Sequence, residues 1–269
     1  LKYTEARGQL NANISLSGTL NNPLTNGWVD VSKGAFFYKI PGINYRDIQF
    51  HSRINNNYLI LDSLQILAGK GKLKMKGELE FESLKTGNIK NIDVQINGEN
   101  FRAFDSDMLK AVINTNLTLK GTKEKPVFAG KLLISRSTLN TDIFIKEYMR
   151  VYDDSDQPLL VLAQRNAGEI QINKEIKIDT IQKSAPDIYK NLSGRFDVEI
   201  PRNTWIKSKN MNFELSGSMN AIKQSENIDF FGTLTVKGGF YKIYGRRLDF
   251  EDGELTFTGG QALNPITNF

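Results

Sequence analysis

The sequence predicts an all-β chain, built as one elongated, repeat-based antiparallel sheet with a single apolar face. Three observations predict it. Apolar and polar residues alternate along successive runs, as Leu234 and Val236 do against Thr233, Thr235 and Lys237, and side chains in a strand point to opposite faces in turn. Glycines, 22 of 269 residues, cut those runs into lengths that suit strands and tight turns. A cassette of strands and turns recurs at a fixed period.

The first cassette runs from Ala12 to Gly18, passes Asn22-Pro23, and continues from Gly27 through Val29, Val31 and Gly34 to Phe36. Glycine supplies the unusual backbone of its turns, and proline fixes the φ beside them. Tyr58 to Leu67 is more continuously apolar and reads as a strand covered on both faces. Leu73, Met75, Leu79 and Phe81 line the next strand, with Lys72, Lys74, Lys76, Glu78, Glu80 and Glu82 on its other side. Ile92, Val94 and Ile96 follow. The second cassette runs from Thr115 through Leu117 and Leu119 to Gly121, then Lys125-Pro126, then Gly130 through Ser137 to Leu139.

Alternation breaks from 141 to 191, around Asp153 to Pro158 and the mixed stretch Leu160 to Gln171. This reads as an irregular insertion with short helices near Leu159–Arg165 and Pro186–Leu192, the second favoured by proline at a first helical position. The third cassette runs from Asn212 to Gly217, then from Gly232 through Leu234, Val236 and Gly239 to Tyr241. Gly27, Gly130 and Gly232 recur at intervals of 103 and 102 residues, and Gly34, Ser137 and Gly239 each follow by seven. The chain therefore divides into a two-cassette segment 1–140, the insertion 141–191 and a C-terminal segment 192–269. At about ten residues per strand and turn, roughly 20 to 25 strands are expected. Alternation alone leaves a sandwich, a closed barrel and an open trough as solutions; the repeat favours extended growth.

Composition excludes several classes of function. With no cysteine there is no disulfide framework, zinc–thiolate site or thiol chemistry. The net charge of +5 is dispersed, without the basic face interleaved with aromatics that marks a nucleic-acid binder, so no nucleic-acid partner is expected. No apolar run reaches the roughly 18 residues of a membrane span, and the first residues carry no secretion signal. Lacking an initiator Met, the chain reads as a processed form or an excised fragment. His51, the one histidine, lies on the polar side of an alternating strand and reads as a surface residue. Asp153, Asp154 and Asp156 lack the glycine of a calcium loop, and Gly121 to Lys131 has the wrong spacing for a phosphate-binding loop. No catalytic residue, metal site or cofactor is implied, and the chain does not read as an enzyme.

The last third carries a more specific pattern. Gly232 opens an alternating strand; Gly238-Gly239-Phe240-Tyr241 and Tyr244-Gly245 follow; Leu248 and Phe250, then Gly253, Leu255, Phe257 and Gly259, lead to Asn264-Pro265. This ordered set resembles the C-terminal signature of the TamB family, a subunit family of the bacterial translocation and assembly module within the AsmA-like group. Val198 to Ile206 is similar to the strand that precedes that signature. The resemblance implies a β-taco, a long sheet curled into a U-shaped trough with an apolar interior. It also implies a periplasmic location in a Gram-negative bacterium and an inner-membrane anchor helix ahead of this segment. An outer-membrane barrel of the BamA superfamily (TamA-like) is the implied partner, engaged by a tail beyond Phe269.

On that basis the expected function is a lipid conduit. Phospholipid acyl chains would lie along a groove lined by Val29, Val31, Phe36, Leu73, Met75, Leu79, Phe81, Ile92, Val94, Ile96, Leu117, Leu119, Leu234, Val236, Leu248, Phe250, Leu255 and Phe257. The same residues also suit an ordinary dry core. A chaperone or assembly factor for outer-membrane β-barrel proteins, acting by strand addition to an open sheet edge, is the alternative; a repeat stalk ranks behind both.

Overall fold

The computed structural model describes residues 3–19, 23–38, 42–84, 86–143, 191–224, 227–260 and 265–268. Fourteen strands form one sheet: β1 (Tyr3–Gly18), β2 (Pro23–Tyr38), β3 (Ile43–Asn55), β4 (Tyr58–Ala68), β5 (Gly71–Ser83), β6 (Asn88–Asp105), β7 (Leu109–Gly121), β8 (Pro126–Asn140), β9 (Ser193–Lys207), β10 (Met211–Gln224), β11 (Asn227–Ile243), β12 (Arg246–Phe250), β13 (Gly253–Thr258) and β14 (Ile266–Asn268). Their spatial order is their chain order, except that β12 and β13 both pair with β11, along different parts of its length. Among the described residues the sheet does not close into a barrel, and the all-β expectation holds.

Two details differ from it. The pairing is antiparallel everywhere except between β8 and β9, which run parallel. The connection between them returns the chain to the end at which β8 began, as a parallel pair requires. The helices expected at Leu159–Arg165 and Pro186–Leu192 fall in this connection; the first lies outside the described residues, and so does the second up to its last two residues. The second difference is strand number. Main strands of 11 to 18 residues replace the ten-residue units expected, because many glycines lie within strands instead of between them.

The cassettes show why. Gly27, Gly130 and Gly232 sit inside β2, β8 and β11 and oppose Ile14, Leu117 and Met219 of the preceding strand. A Cβ at Gly130 would fall 2.0 Å from the Asn116 carbonyl oxygen, and one at Gly232 would fall 2.4 Å from that of Ser218. These glycines serve close approach of neighbouring backbones. Gly34, Ser137 and Gly239, seven residues on, each sit at a break in register. The third cassette departs at its start: Gly18 and Gly121 end their strands at hairpins, whereas Gly217 lies mid-strand opposite Leu234.

Register connects the strands into rows on one face. Leu10, Val31, Phe50, Leu64, Met75, Ile96, Leu117, Gly130, Phe196, Ala221 and Phe230 are successive partners from β1 to β11. The neighbouring row on the opposite face holds Asn11, Asp30, His51 and Ser63 on β1 to β4, and Asn116, Lys131, Asp197 and Asn220 on β7 to β10. One face is thus apolar and the other polar. β4 is only partly covered on either side, short of the two-sided burial its apolar run suggested.

The sheet curls toward its apolar side. β3 and β4 touch β6, three and two strands away, and there Ile43, Ala68 and Phe101 pack with Tyr45, Ile66 and Leu73. The rings of Phe36 and Tyr45 lie 4.9 Å apart, and those of Tyr45 and Phe101 6.2 Å apart. A second cluster joins Val198, Ile200, Leu215, Ala221, Leu234 and Val236 across β9, β10 and β11. Burial of these apolar side chains, at about 25 cal/mol per Å², supplies the main driving force for the curl.

Candidate functional site

The apolar concave face is the candidate site, and pairing decides which side chains share it. Val29 lies in a row with Leu61, Val94 and Leu119; Val31 lies in a row with Met75, Ile96 and Leu117. Leu79 opposes Ile92, and Phe81 opposes Ile89. Leu234 opposes Leu255, Gly232 opposes Phe257, and the Phe250 ring meets that of Phe213 at 5.4 Å.

Burial divides the candidates further. Leu234 and Val236 are buried within the cluster on β9 to β11, with Leu255 and Phe257 packed against it. Phe36 and Leu73 belong to the packing around Phe101. Between these packed regions, Met75, Ile96, Leu117 and Leu119 stay partly exposed on β5 to β7. Leu248, beside Tyr241 near the tip of β12, is 49% exposed.

Sequence reasoning passed over Lys223. Alternation along β10 through Leu215, Met219 and Ala221 carries it onto the apolar face, where it is 2% exposed, opposite Gly194 and Ile228. The signal was its parity with those apolar residues. A lysine at the end of an alternating run reads as the start of a polar stretch, and that hid it.

The polar face holds cross-strand ion pairs. Lys72 meets Glu99 at 2.9 Å, Lys90 meets Glu80 at 2.6 Å and Lys120 meets Asp93 at 2.9 Å. Such exposed pairs contribute little each. His51 lies on this face, as expected, with Nδ1 against Asp30 and Nε2 3.6 Å from Asp62. The Arg53 guanidinium donates to both Asp62 oxygens, at 2.7 and 2.5 Å. Those hydrogen bonds hold the Asp62 carboxyl below its ordinary pKa. A group depressed in the folded state stabilises fully above the ordinary carboxylate range, and that contribution is lost as pH falls through its own lower value. In an NMR titration, Asp62 is therefore expected to show a midpoint below that of a free carboxylate, and Arg53→Ala to raise it. An unchanged midpoint in R53A would show that the pair does not form in solution.

Among the described residues no set of three or more His, Asp or Glu side chains is placed to hold a metal ion. Among them, too, no helix is long and apolar enough to cross a membrane. What the apolar face can do chemically is remove hydrocarbon from water.

Comparison with known proteins adds to this geometry. Residues 62–268 match the model of the TamB C-terminal domain family. The chain is similar to the translocation and assembly module subunit TamB of Haemophilus influenzae, 22% identical over 263 residues, which is 97% of this chain and 19% of that protein. It thus spans about a fifth of the length of that curated relative. No solved structure matches the chain.

Proposed function

The chain belongs to the TamB family, and from that premise we propose that it is a segment of a non-enzymatic lipid conduit. Its apolar trough receives phospholipid acyl chains in transit between the inner and outer membranes, in the service of outer-membrane biogenesis. The observation that carries this reading is the row running from Leu10 to Phe230, which crosses eleven strands without a charged residue. Each methylene laid against it gains about 0.8 kcal/mol. The row lacks a polar clamp at any one position, so an acyl chain is held by area and slides along its partly exposed stretch on β2 to β7. The full-length protein is anchored in the inner membrane, spans the periplasm and meets a TamA-like barrel of the BamA superfamily. The similarity to a translocation and assembly module subunit supports that arrangement.

Native mass spectrometry of the purified chain tests the reading. Phospholipid is expected to co-purify with it, and Leu117→Glu, at the partly exposed middle of the trough, is expected to lower occupancy roughly tenfold or more while the circular dichroism stays that of a folded sheet. Absence of phospholipid from repeated wild-type preparations would remove the conduit. The similarity to a translocation and assembly module subunit also supports a second reading, an assembly factor or chaperone that accepts client strands by pairing. Under that reading, L117E leaves client-peptide binding intact.

A further inference from the structure

At one end of the sheet the β11–β12 hairpin and the β9–β10 turn lie side by side, joined by a hydrogen bond from the Lys242 N–H to the Asn210 carbonyl oxygen at 2.7 Å. Tyr244 and Gly245 form the hairpin tip with φ of 50° and 75°, the two-residue turn whose twist matches its strands. Five cations gather here: Lys207, Lys209, Lys242, Arg246 and Arg247. Two aromatic rings support them. Lys242 Nζ and the Arg247 guanidinium lie 5.5 and 4.3 Å from the centre of Phe240, and Lys207 Nζ lies 5.3 Å from that of Trp205.

Nearby carboxylates only partly balance this charge. Asp249 pairs with Arg247 at 2.7 Å, and Asp142 accepts from the Lys209 N–H at 2.8 Å. Glu214 is held by the Asn203 N–H and Arg202, while Glu251 and Asp252 follow the far end of β12. Beside the cations, Tyr244 is 73% exposed and Leu248 is 49% exposed.

We propose that this end of the sheet docks onto the surface of an anionic lipid bilayer. Lysine and arginine gain from anionic headgroups, and their aliphatic stems lie along apolar surface while the charge stays in water. An exposed tyrosine at the tip and a half-exposed leucine midway along β12 suit the headgroup boundary, where an aromatic with a polar end partitions. A soluble polyanion has use for the cations alone. The combination of cations with Tyr244 and Leu248 therefore selects a membrane. Leu248 is its one residue shared with the candidate lining, and docking does not depend on acyl chains entering the trough.

Flotation of the purified 269-residue chain with vesicles of phosphatidylcholine, with and without phosphatidylglycerol, tests the proposal. Binding is expected only to the anionic vesicles, and to weaken with salt. Lys242→Ala, Arg246→Ala and Arg247→Ala together are expected to reduce it by about fivefold per residue. Tyr244→Ser with Leu248→Ser is expected to weaken binding with no change in net charge. Lys74→Ala, Lys76→Ala and Lys131→Ala together, which remove equal charge from the middle of the polar face, are expected to leave most of it. Wild type that ignores anionic vesicles, equal loss in the mid-sheet triple, or full binding without Tyr244 and Leu248 would each overturn the proposal. Should the triple at the tip misfold, Arg246→Glu alone, at an exposed position, gives the same reading. Trough occupancy is measured separately by mass spectrometry, so failure of one reading leaves the other standing.

Discussion

Val236→Glu is expected to unfold the C-terminal part of the sheet rather than merely block a groove. Val236 is 2% exposed and packs with Val198, Ile200, Leu215 and Leu234; its partners across the sheet are Leu215 and Gly253. Truncation alone would forfeit part of the roughly 1.5–3 kcal/mol that burial of such a side chain supplies. A carboxylate at this position adds the penalty of a buried polar group with no donor, so a loss of about 4 kcal/mol is expected, a large share of the 5–15 kcal/mol that holds a domain together. The control belongs on the other face of β11. Thr235 faces Ser216 on one side and Glu254 on the other, so Thr235→Glu sets like charges opposite each other, whereas Thr235→Lys does not. Thermal melts by circular dichroism separate the cases: V236E should lose its cooperative transition or shift it strongly downward, and T235K should melt close to wild type. A V236E protein that melts like wild type would show that this cluster opens to water.

These positions also mark how far the sequence could be read. The two faces were legible because a period of two is a local property, so Leu117 and Lys131, or Leu234 and Thr235, sort correctly without knowledge of their partners. The cassette was legible because Gly27, Gly130 and Gly232 answer the same steric demand in each copy. Strand length was not legible, since a glycine that lets two backbones approach has the same spelling as a glycine that turns. Gly217 shows this directly: it looks like the hairpin glycines Gly18 and Gly121 but sits mid-strand. The parallel β8–β9 pair was hidden because strand direction there depends on a connection of about fifty residues, beyond the reach of periodicity. Division of the candidate lining into packed regions and a partly exposed middle depends on curl, which brings β3 and β4 to β6. No local pattern encodes that contact.

Gly130→Ala tests whether the repeat is structural, and a large loss of stability is expected from a single methyl group. Gly130 has φ of 144° and lies between Leu117 of β7 and Phe196 of β9, beside the parallel junction. Its Cβ would meet the Asn116 carbonyl oxygen at 2.0 Å and the Leu117 Cα at 2.9 Å. Both are backbone atoms held by the ladder, so no side chain can swing aside, and β7 and β8 must separate. That separation also disturbs the 5.4 Å contact between the rings of Phe128 and Phe196, the second of which is the β9 partner of Gly130. A loss of about 3–5 kcal/mol is expected, from overpacking together with backbone strain. Gly87, with φ of 67° and nothing within 4 Å of its Cβ, isolates the strain: Gly87→Ala is expected to cost about 1 kcal/mol. Gly232→Ala, whose Cβ faces the Ser218 oxygen at 2.4 Å, should fall with Gly130→Ala, because both glycines occupy the same place in their cassettes. Urea melts of the three variants rank these costs. Equal losses at Gly87 and Gly130 would mean that the strands do not approach as closely as the register requires, and the shared role of the repeated glycines would fall with it.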